Sequence, residues 1–196
     1  HAGTFGKVGI LSFNGNKTIT TGGGGALLTN NSILSKKLRR LSTMAKISHP
    51  WEQKFDMLGY NYRMINISAA LGCSQIKQLD KILEKKRKIT KFYKKIFLFD
   101  KNVKFFVEPE YCKSNYWHQL IIINESQKKM REYLKKFHKN KILTKAMWTP
   151  LHRLKYLRKF PRMNLSITEE LFRRLIILPS GAGIIENRLN KVISIK

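Results

Sequence analysis

One lysine stands where its amine could act as a nucleophile. Val8 to Phe13 is a largely apolar run, Asn14-Gly15-Asn16 turns the chain, and Lys17 follows. Thr18 to Thr21 and four consecutive glycines, Gly22 to Gly25, come next, before Ala26 to Thr29 resumes an extended apolar segment. These residue types predict two buried strands joined by a tight turn that presents Lys17 beside a backbone open to very close approach. An amine in partly apolar surroundings loses its proton more readily and attacks carbonyl carbon, aldehydes above all. The competing reading is a solvent-facing lysine, one of 39 Lys and Arg. Against it, each glycine adds unfolded-state freedom that a plain turn does not need. The phosphate loop of nucleotide hydrolases is excluded, because it needs glycine directly before the lysine and Asn16 separates Gly15 from Lys17.

Ser12-Phe13-Asn14-Gly15-Asn16-Lys17, with Thr20-Thr21-Gly22-Gly23-Gly24-Gly25 behind it, resembles the cofactor-lysine motif of the DegT/DnrJ/StrS-type sugar-nucleotide aminotransferases. Gly59-Tyr60-Asn61-Tyr62-Arg63, followed by Ala69-Ala70-Leu71-Gly72, resembles the family's next signature. Lys145-Ala146-Met147-Trp148-Thr149-Pro150-Leu151-His152 resembles its C-terminal substrate-side segment. The three blocks stand in the family's order, and the first is most similar in wording to members that make amino sugars of the legionaminic and bacillosamine kind.

The resemblance implies the C-terminal part of a fold-type-I α/β aminotransferase that uses pyridoxal 5'-phosphate. It implies transfer of an amino group from an amino acid, glutamate, to a keto sugar on a nucleotide diphosphate, in surface-glycan synthesis. By resemblance Lys17 carries the cofactor as a Schiff base and afterwards moves the proton, while the Ser12 hydroxyl binds the cofactor phosphate. Asn61 would reach the phosphate of the cofactor held by the other subunit, which implies a homodimer with shared sites. Arg63, Trp148 and His152 fall on the substrate side. Plainer readings stand beside these: Ser12 and Asn61 as turn residues, Arg63 as a charge flanking a helix, Trp148 and His152 as structural. His118 reads as a structural histidine and His49 as a loop residue. The chain departs from the family pattern at Gly23, where an acidic residue is usual. It departs again at Lys145-Ala146, where Arg-Pro is usual, so a bidentate fork and a rigid turn are lost.

Helical spacing runs from Ser32, a candidate N-cap, to Met44. A long helix is expected from Asn66 or Ser68 to about Leu98, with apolar residues from Ile67 to Ile96 in register. The boundary is placed inside it, giving a remainder of a large cofactor-binding domain over 1–75 and a small α/β domain over 76–196. Beyond Asp100, strands are expected at Val103 to Val107, Tyr116 to Ile123 and Ile176 to Leu178. Helices are expected at Gln127 to Asn140, Ser166 to Leu175 and Glu186 to Ile195. The first residue is His1, and relatives of this family are about twice as long, so an N-terminal half is expected to be missing. By resemblance that half supplies the acidic partner of the cofactor ring nitrogen and the residue over the ring face, so this chain alone is expected to bind cofactor poorly.

A net charge of +27 admits a polyanion partner, either nucleic acid or the diphosphate of a sugar nucleotide. The basic runs Lys36 to Arg40 and Lys85 to Lys88 lie in helical patterns without interleaved aromatics, so they read as solvated faces rather than a nucleic-acid surface. Cys73 and Cys112 are too few for a disulfide framework or a zinc centre, and no metal site is expected. No apolar run reaches membrane-spanning length, and the reading is cytoplasmic. Two other functions are compatible with the sequence: an inactive remnant or regulatory partner of such an enzyme, and a basic nucleic-acid-binding module.

Overall fold

Ser12 and Gly25 face each other across an antiparallel pair, β1 (Gly9–Ser12) with β2 (Gly25–Leu28), so the Lys17 segment closes a hairpin. The computed structural model describes residues 1–184 together with Leu189 and Val192, and divides into two units, His1–Leu79 and Asp80–Lys196. In the first unit a 3-10 turn (Ala2–Thr4) precedes β1, and helix α1 (Ser32–Ser42) follows β2. Asn31, rather than the expected Ser32, caps α1, its side chain accepting the Leu34 N–H at 2.9 Å. A small ribbon comes next, β3 (Lys46–Ile47) against β4 (Lys54–Phe55), then helix α2 (Asn66–Lys77).

The strands flanking Lys17 are not buried. Ile10 is 75% and Leu27 51% exposed, and in His1–Leu79 only Gly9, Thr21 and Ala45 are buried. A two-stranded ribbon has no further strands and no second layer, so it cannot cover either face. The expected long helix is also two. The chain leaves α2 at Gln78, with φ −103° and ψ 1°, and restarts as α3 (Leu79–Ile96). Apolar spacing continues through the break, which hides it in the sequence.

The second unit interleaves helices and strands, the α/β pattern expected. After α3 come β5 (Val103–Phe105), β6 (Gln119–Ile123), helix α4 (Gln127–Lys139), β7 (Lys145–Ala146), helix α5 (Ser166–Arg174) and β8 (Leu175–Leu178). The sheet runs β5-β6-β8-β7 with antiparallel neighbours. β7 comes from the substrate-side block and was not expected as a strand. β6 begins at Gln119 rather than Tyr116, because Tyr116 takes a left-handed backbone, φ 47°, which ends strand geometry. Tyr93 of α3 and Phe97 just beyond it, Met130 and Phe137 of α4, and Ile121 and Ile176 of the sheet meet in one core. The helix expected over Glu186 to Ile195 falls mostly outside the described residues; Leu189 and Val192 within it are helical and buried.

The basic run Lys85 to Lys88 is not one solvated face. Lys86 is buried, its amine donating to the carbonyls of Tyr116 (3.1 Å) and Ser180 (2.8 Å), and burial pushes its pKa down. Arg87 grips Glu108 through both terminal guanidinium nitrogens, at 2.7 and 3.2 Å.

Candidate functional site

The candidate residues of the first unit are set by the hairpin between β1 and β2. Lys17 N–H donates to Asn14 O at 3.0 Å, closing a tight turn, and Asn14 N–H reaches back to Ser12 Oγ at 3.4 Å. Phe13 N–H bonds Gly24 O and Thr21 N–H bonds Phe13 O, both at 3.0 Å, so the far side of the loop is tied to the end of β1. Thr20 Oγ1 adds a bond to Phe13 O at 2.9 Å and accepts Gly22 N–H at 2.9 Å. Gly22 and Gly24 have φ of +81° and +89°, backbone that side-chain-bearing residues rarely adopt. Lys17 is half-buried, and beside it Thr18 Oγ1 is buried with no hydrogen-bond partner among the described residues.

The loop leans on the second block. A Cβ on Gly24 would meet the Met64 methyl at 3.2 Å, and the Thr21 methyl lies where a Cβ on Gly72 of α2 would go. The segment before α2 is in turn docked on the end of α1. Tyr60 N–H donates to Leu41 O (2.7 Å), Met44 N–H to Tyr60 O (2.9 Å) and Tyr62 N–H to Ser42 O (2.9 Å), and Asn61 bridges Thr43. Tyr60 and Tyr62 stack at 5.3 Å. Asn61 and Arg63, both exposed, line a cleft with Met64 to Ile67 at the start of α2. Among the described residues no side chain caps that helix start, where the first N–H groups of a helix lack intrahelical partners.

The third block lies in the second unit. Trp148, 56% exposed, has its ring 5.7 Å from Trp117 and 5.1 Å from His118, and those two rings are 4.1 Å apart. His118 thus belongs to an aromatic cluster at the mouth of β6. Two residues before it, the Tyr116 carbonyl accepts from Lys86 Nζ, and the Arg87 guanidinium lies 5.3 Å over the Tyr116 ring. His152, on the 3-10 turn Leu151–Arg153, has Nε2 2.6 Å from Glu169 Oε1. Lys145 and Ala146, the departure from the usual Arg-Pro, form the exposed edge strand β7.

The structure therefore gathers Ser12, Lys17, Asn61 and Arg63 within one unit, and Trp148 and His152 within the other. Sequence reasoning passed over Thr18, Trp117 and Glu169. For Thr18 the cue was adjacency to the lysine; for Trp117, an aromatic beside His118; Glu169, 17 residues from His152, offered none.

Residues 1–195 match the DegT/DnrJ/EryC1/StrS aminotransferase family. The chain is 34% identical to the putative pyridoxal phosphate-dependent aminotransferase EpsN of Bacillus subtilis, covering 99% of this chain and 50% of EpsN. It is 31% identical to the GDP-perosamine synthase of Vibrio cholerae, covering 97% of this chain and 52% of that protein. Among solved structures it is similar to Helicobacter pylori PseC, an aminotransferase involved in pseudaminic acid biosynthesis, with TM-score 0.86 and 25% identity over 97% of this chain and 52% of that one. The aminotransferase TlmJ from Streptoalloteichus hindustanus shares the fold, with TM-score 0.90 at 20% identity over 98% of this chain and 52% of its own. The chain spans about half the length of the curated relatives it matches.

Proposed function

Because the chain belongs to the DegT/DnrJ/EryC1/StrS aminotransferase family, we propose that it carries the lysine-bearing part of a sugar-nucleotide aminotransferase. The reaction is transfer of an amino group from an amino acid, glutamate, to a keto sugar on a nucleoside diphosphate, with pyridoxal 5'-phosphate as cofactor. The amino sugar would feed surface-glycan synthesis in the cytoplasm. The relatives' names, a GDP-perosamine synthase and PseC among them, support this substrate class.

The loop fits the cofactor. Thr18 Oγ1 is a buried hydroxyl lacking a partner next to Lys17, and Gly22 and Gly23 have open space where a Cβ would stand. When bound, pyridoxal phosphate supplies an aldehyde for amino groups and a ring that draws electrons from the adjoining carbon. Lys17 would hold it through Nζ, and the same nitrogen would hold or move a proton as general acid and base. Ser12 Oγ already accepts Asn14 N–H, which leaves its hydroxyl hydrogen for a phosphate oxygen. Asn61 offers an amide N–H to the phosphate in the site of a second copy, making the homodimer part of the active site. Arg63 offers a fork to a substrate carboxylate or phosphate. Trp148 supplies a stacking face and His152 a hydrogen bond to the sugar nucleotide.

The two carboxylates of His1–Leu79 are already engaged, Asp56 by Arg40 and Glu52 by Lys54. The acidic partner that a pyridoxal ring nitrogen needs is therefore proposed to come from outside this unit, and the domain roles of 1–75 and 76–196 remain part of this proposal.

The observation that carries the reading is the closed Asn14–Lys17 turn beside the unpartnered Thr18 hydroxyl. The test is borohydride trapping of substoichiometric pyridoxal phosphate on the full chain, with peptide mapping. The expected adduct is on Lys17 and is lost in Lys17→Ala. Labelling spread over many lysines, or an adduct that survives in Lys17→Ala, would sink the catalytic reading.

A further inference from the structure

His152 shares one carboxylate with its neighbour. Glu169 Oε1 accepts from Arg153 Nε at 2.8 Å as well as facing His152 Nε2 at 2.6 Å, and a terminal nitrogen of Arg153 bonds Oε2. Arg173 stands 3.8 Å from Oε2, Arg174 is occupied by Glu170 at 2.7 Å, and the Arg153 guanidinium lies 4.9 Å over the Phe172 ring. The histidine and glutamate side chains are 17% and 25% exposed, so the contact is largely withdrawn from water. The Arg153 hydrogen bond first, then that of His152, holds the Glu169 carboxyl far below the usual range, at about 2. The carboxylate is thus ionised at any physiological pH and can only accept hydrogen bonds. The proton in the His152–Glu169 bond must then sit on Nε2, which in the neutral ring leaves Nδ1 with a lone pair.

We infer that Glu169, oriented by Arg153, is a positioning residue that fixes His152 as the Nε2–H tautomer, so that Nδ1 recognises a hydrogen-bond donor on the ligand. The ligand group is a hydroxyl of the sugar or ribose, or an amine; a phosphate oxygen, which needs a donor, is not matched by the neutral ring. The inference rests on the reading above that His152 faces the sugar nucleotide, and it adds which face of the ring is used and for what chemistry. An acceptor left without a donor loses its hydrogen bond, so a ligand deoxygenated at that hydroxyl would be selected against.

The test is nitrogen NMR of the full chain carrying labelled histidine, with His152 assigned by loss of its signals in His152→Ala. In the free wild-type protein at mildly alkaline pH, Nε2 is expected to be pyrrole-like and Nδ1 pyridine-like; the reverse pattern overturns the inference without any variant or ligand. In Glu169→Gln, whose amide can donate as well as accept, both signals are expected to move toward each other as the tautomers mix. An unchanged pattern in a folded Glu169→Gln overturns the role of the carboxylate. UDP-N-acetylglucosamine serves as the probe ligand, followed by the Nδ1 signal and by Trp fluorescence. Binding is expected to shift Nδ1 upfield, with affinity about threefold to tenfold weaker in Glu169→Gln, the weight of one hydrogen bond. A fluorescence response without an Nδ1 shift overturns donor recognition while leaving the substrate reading standing. No response in either overturns the substrate reading of Trp148 and His152, and with it the ligand half of this inference, while the tautomer is decided by the free protein.

Discussion

Protonating Glu169 removes the acceptor on which Arg153 and His152 both depend. Its folded pKa, about 2, lies below the ordinary 4.5, so the unfolded chain takes up the proton first as pH falls. The stability this carboxylate contributes is complete above about pH 4.5 and is lost as pH drops from there through about 2. Urea unfolding of wild type against Glu169→Gln should show a shallower acid dependence in the variant; identical acid limbs would remove the ion pair from the account. In the lysine loop, Gly24→Ala places a Cβ on backbone with φ +89° and against the Met64 methyl. At about 1–2 kcal/mol for that conformation, exchange of the Phe13 amide that bonds Gly24 O should quicken about tenfold or more. Unaltered exchange would mean the loop carries no such strain. At this scale the turn that carries Lys17 was legible, because Asn14-Gly15-Asn16 and four glycines are a local signal. The Glu169–His152 pair was not, because it exists only when α5 packs beside the turn after Pro150, and nothing near either residue encodes that meeting.

The core elements of the second unit make their own prediction. Tyr93 is buried on α3, and its hydroxyl donates to Pro179 O at 3.0 Å. Burial pushes its phenol above the ordinary value of 10. Above that pH the unfolded tyrosine ionises while the folded one does not, so the unfolded state binds fewer protons and stability falls as pH rises past about 10. Tyr93→Phe should cost about 1 kcal/mol near neutral pH for the lost hydrogen bond and should flatten this alkaline decline. A variant with the same alkaline slope would assign it to other groups. The helices α1, α4 and α5 and the strand β6 were legible from spacing alone, since apolar residues at three- and four-residue steps, or in one unbroken run, mark what must be buried. β3, β4 and β7 were not: each is two residues long, and its existence depends on a partner strand rather than on its own composition. The stop at Gln78 was hidden because the residues on both sides keep one helical register.

The two units differ in how much they bury. Asp80–Lys196 holds a continuous core of Tyr93, Phe97, Ile121, Met130 and Ile176, whereas His1–Leu79 buries only Gly9, Thr21 and Ala45 and leaves Ile33, Trp51, Leu58, Tyr62 and Ile67 largely exposed. Deuterium uptake followed by mass spectrometry should find β6 and β8 protected for far longer than β1 and β2. Equal protection would mean the first unit is stabilised by something other than its own packing. The charge of +27 is likewise uneven in its meaning, since part of it is Lys86 inside the second unit and Arg87 bound to Glu108. The hairpin that holds Lys17 has a further consequence. Among the described residues β1 and β2 pair only with each other, so each presents there an outer edge of backbone groups to any strand that can zip onto it. A matching strand that docks there would stiffen the Asn14–Lys17 turn in the same event, making the shape around the lysine a record of assembly. A mismatched strand would use the same edges to start a polymer.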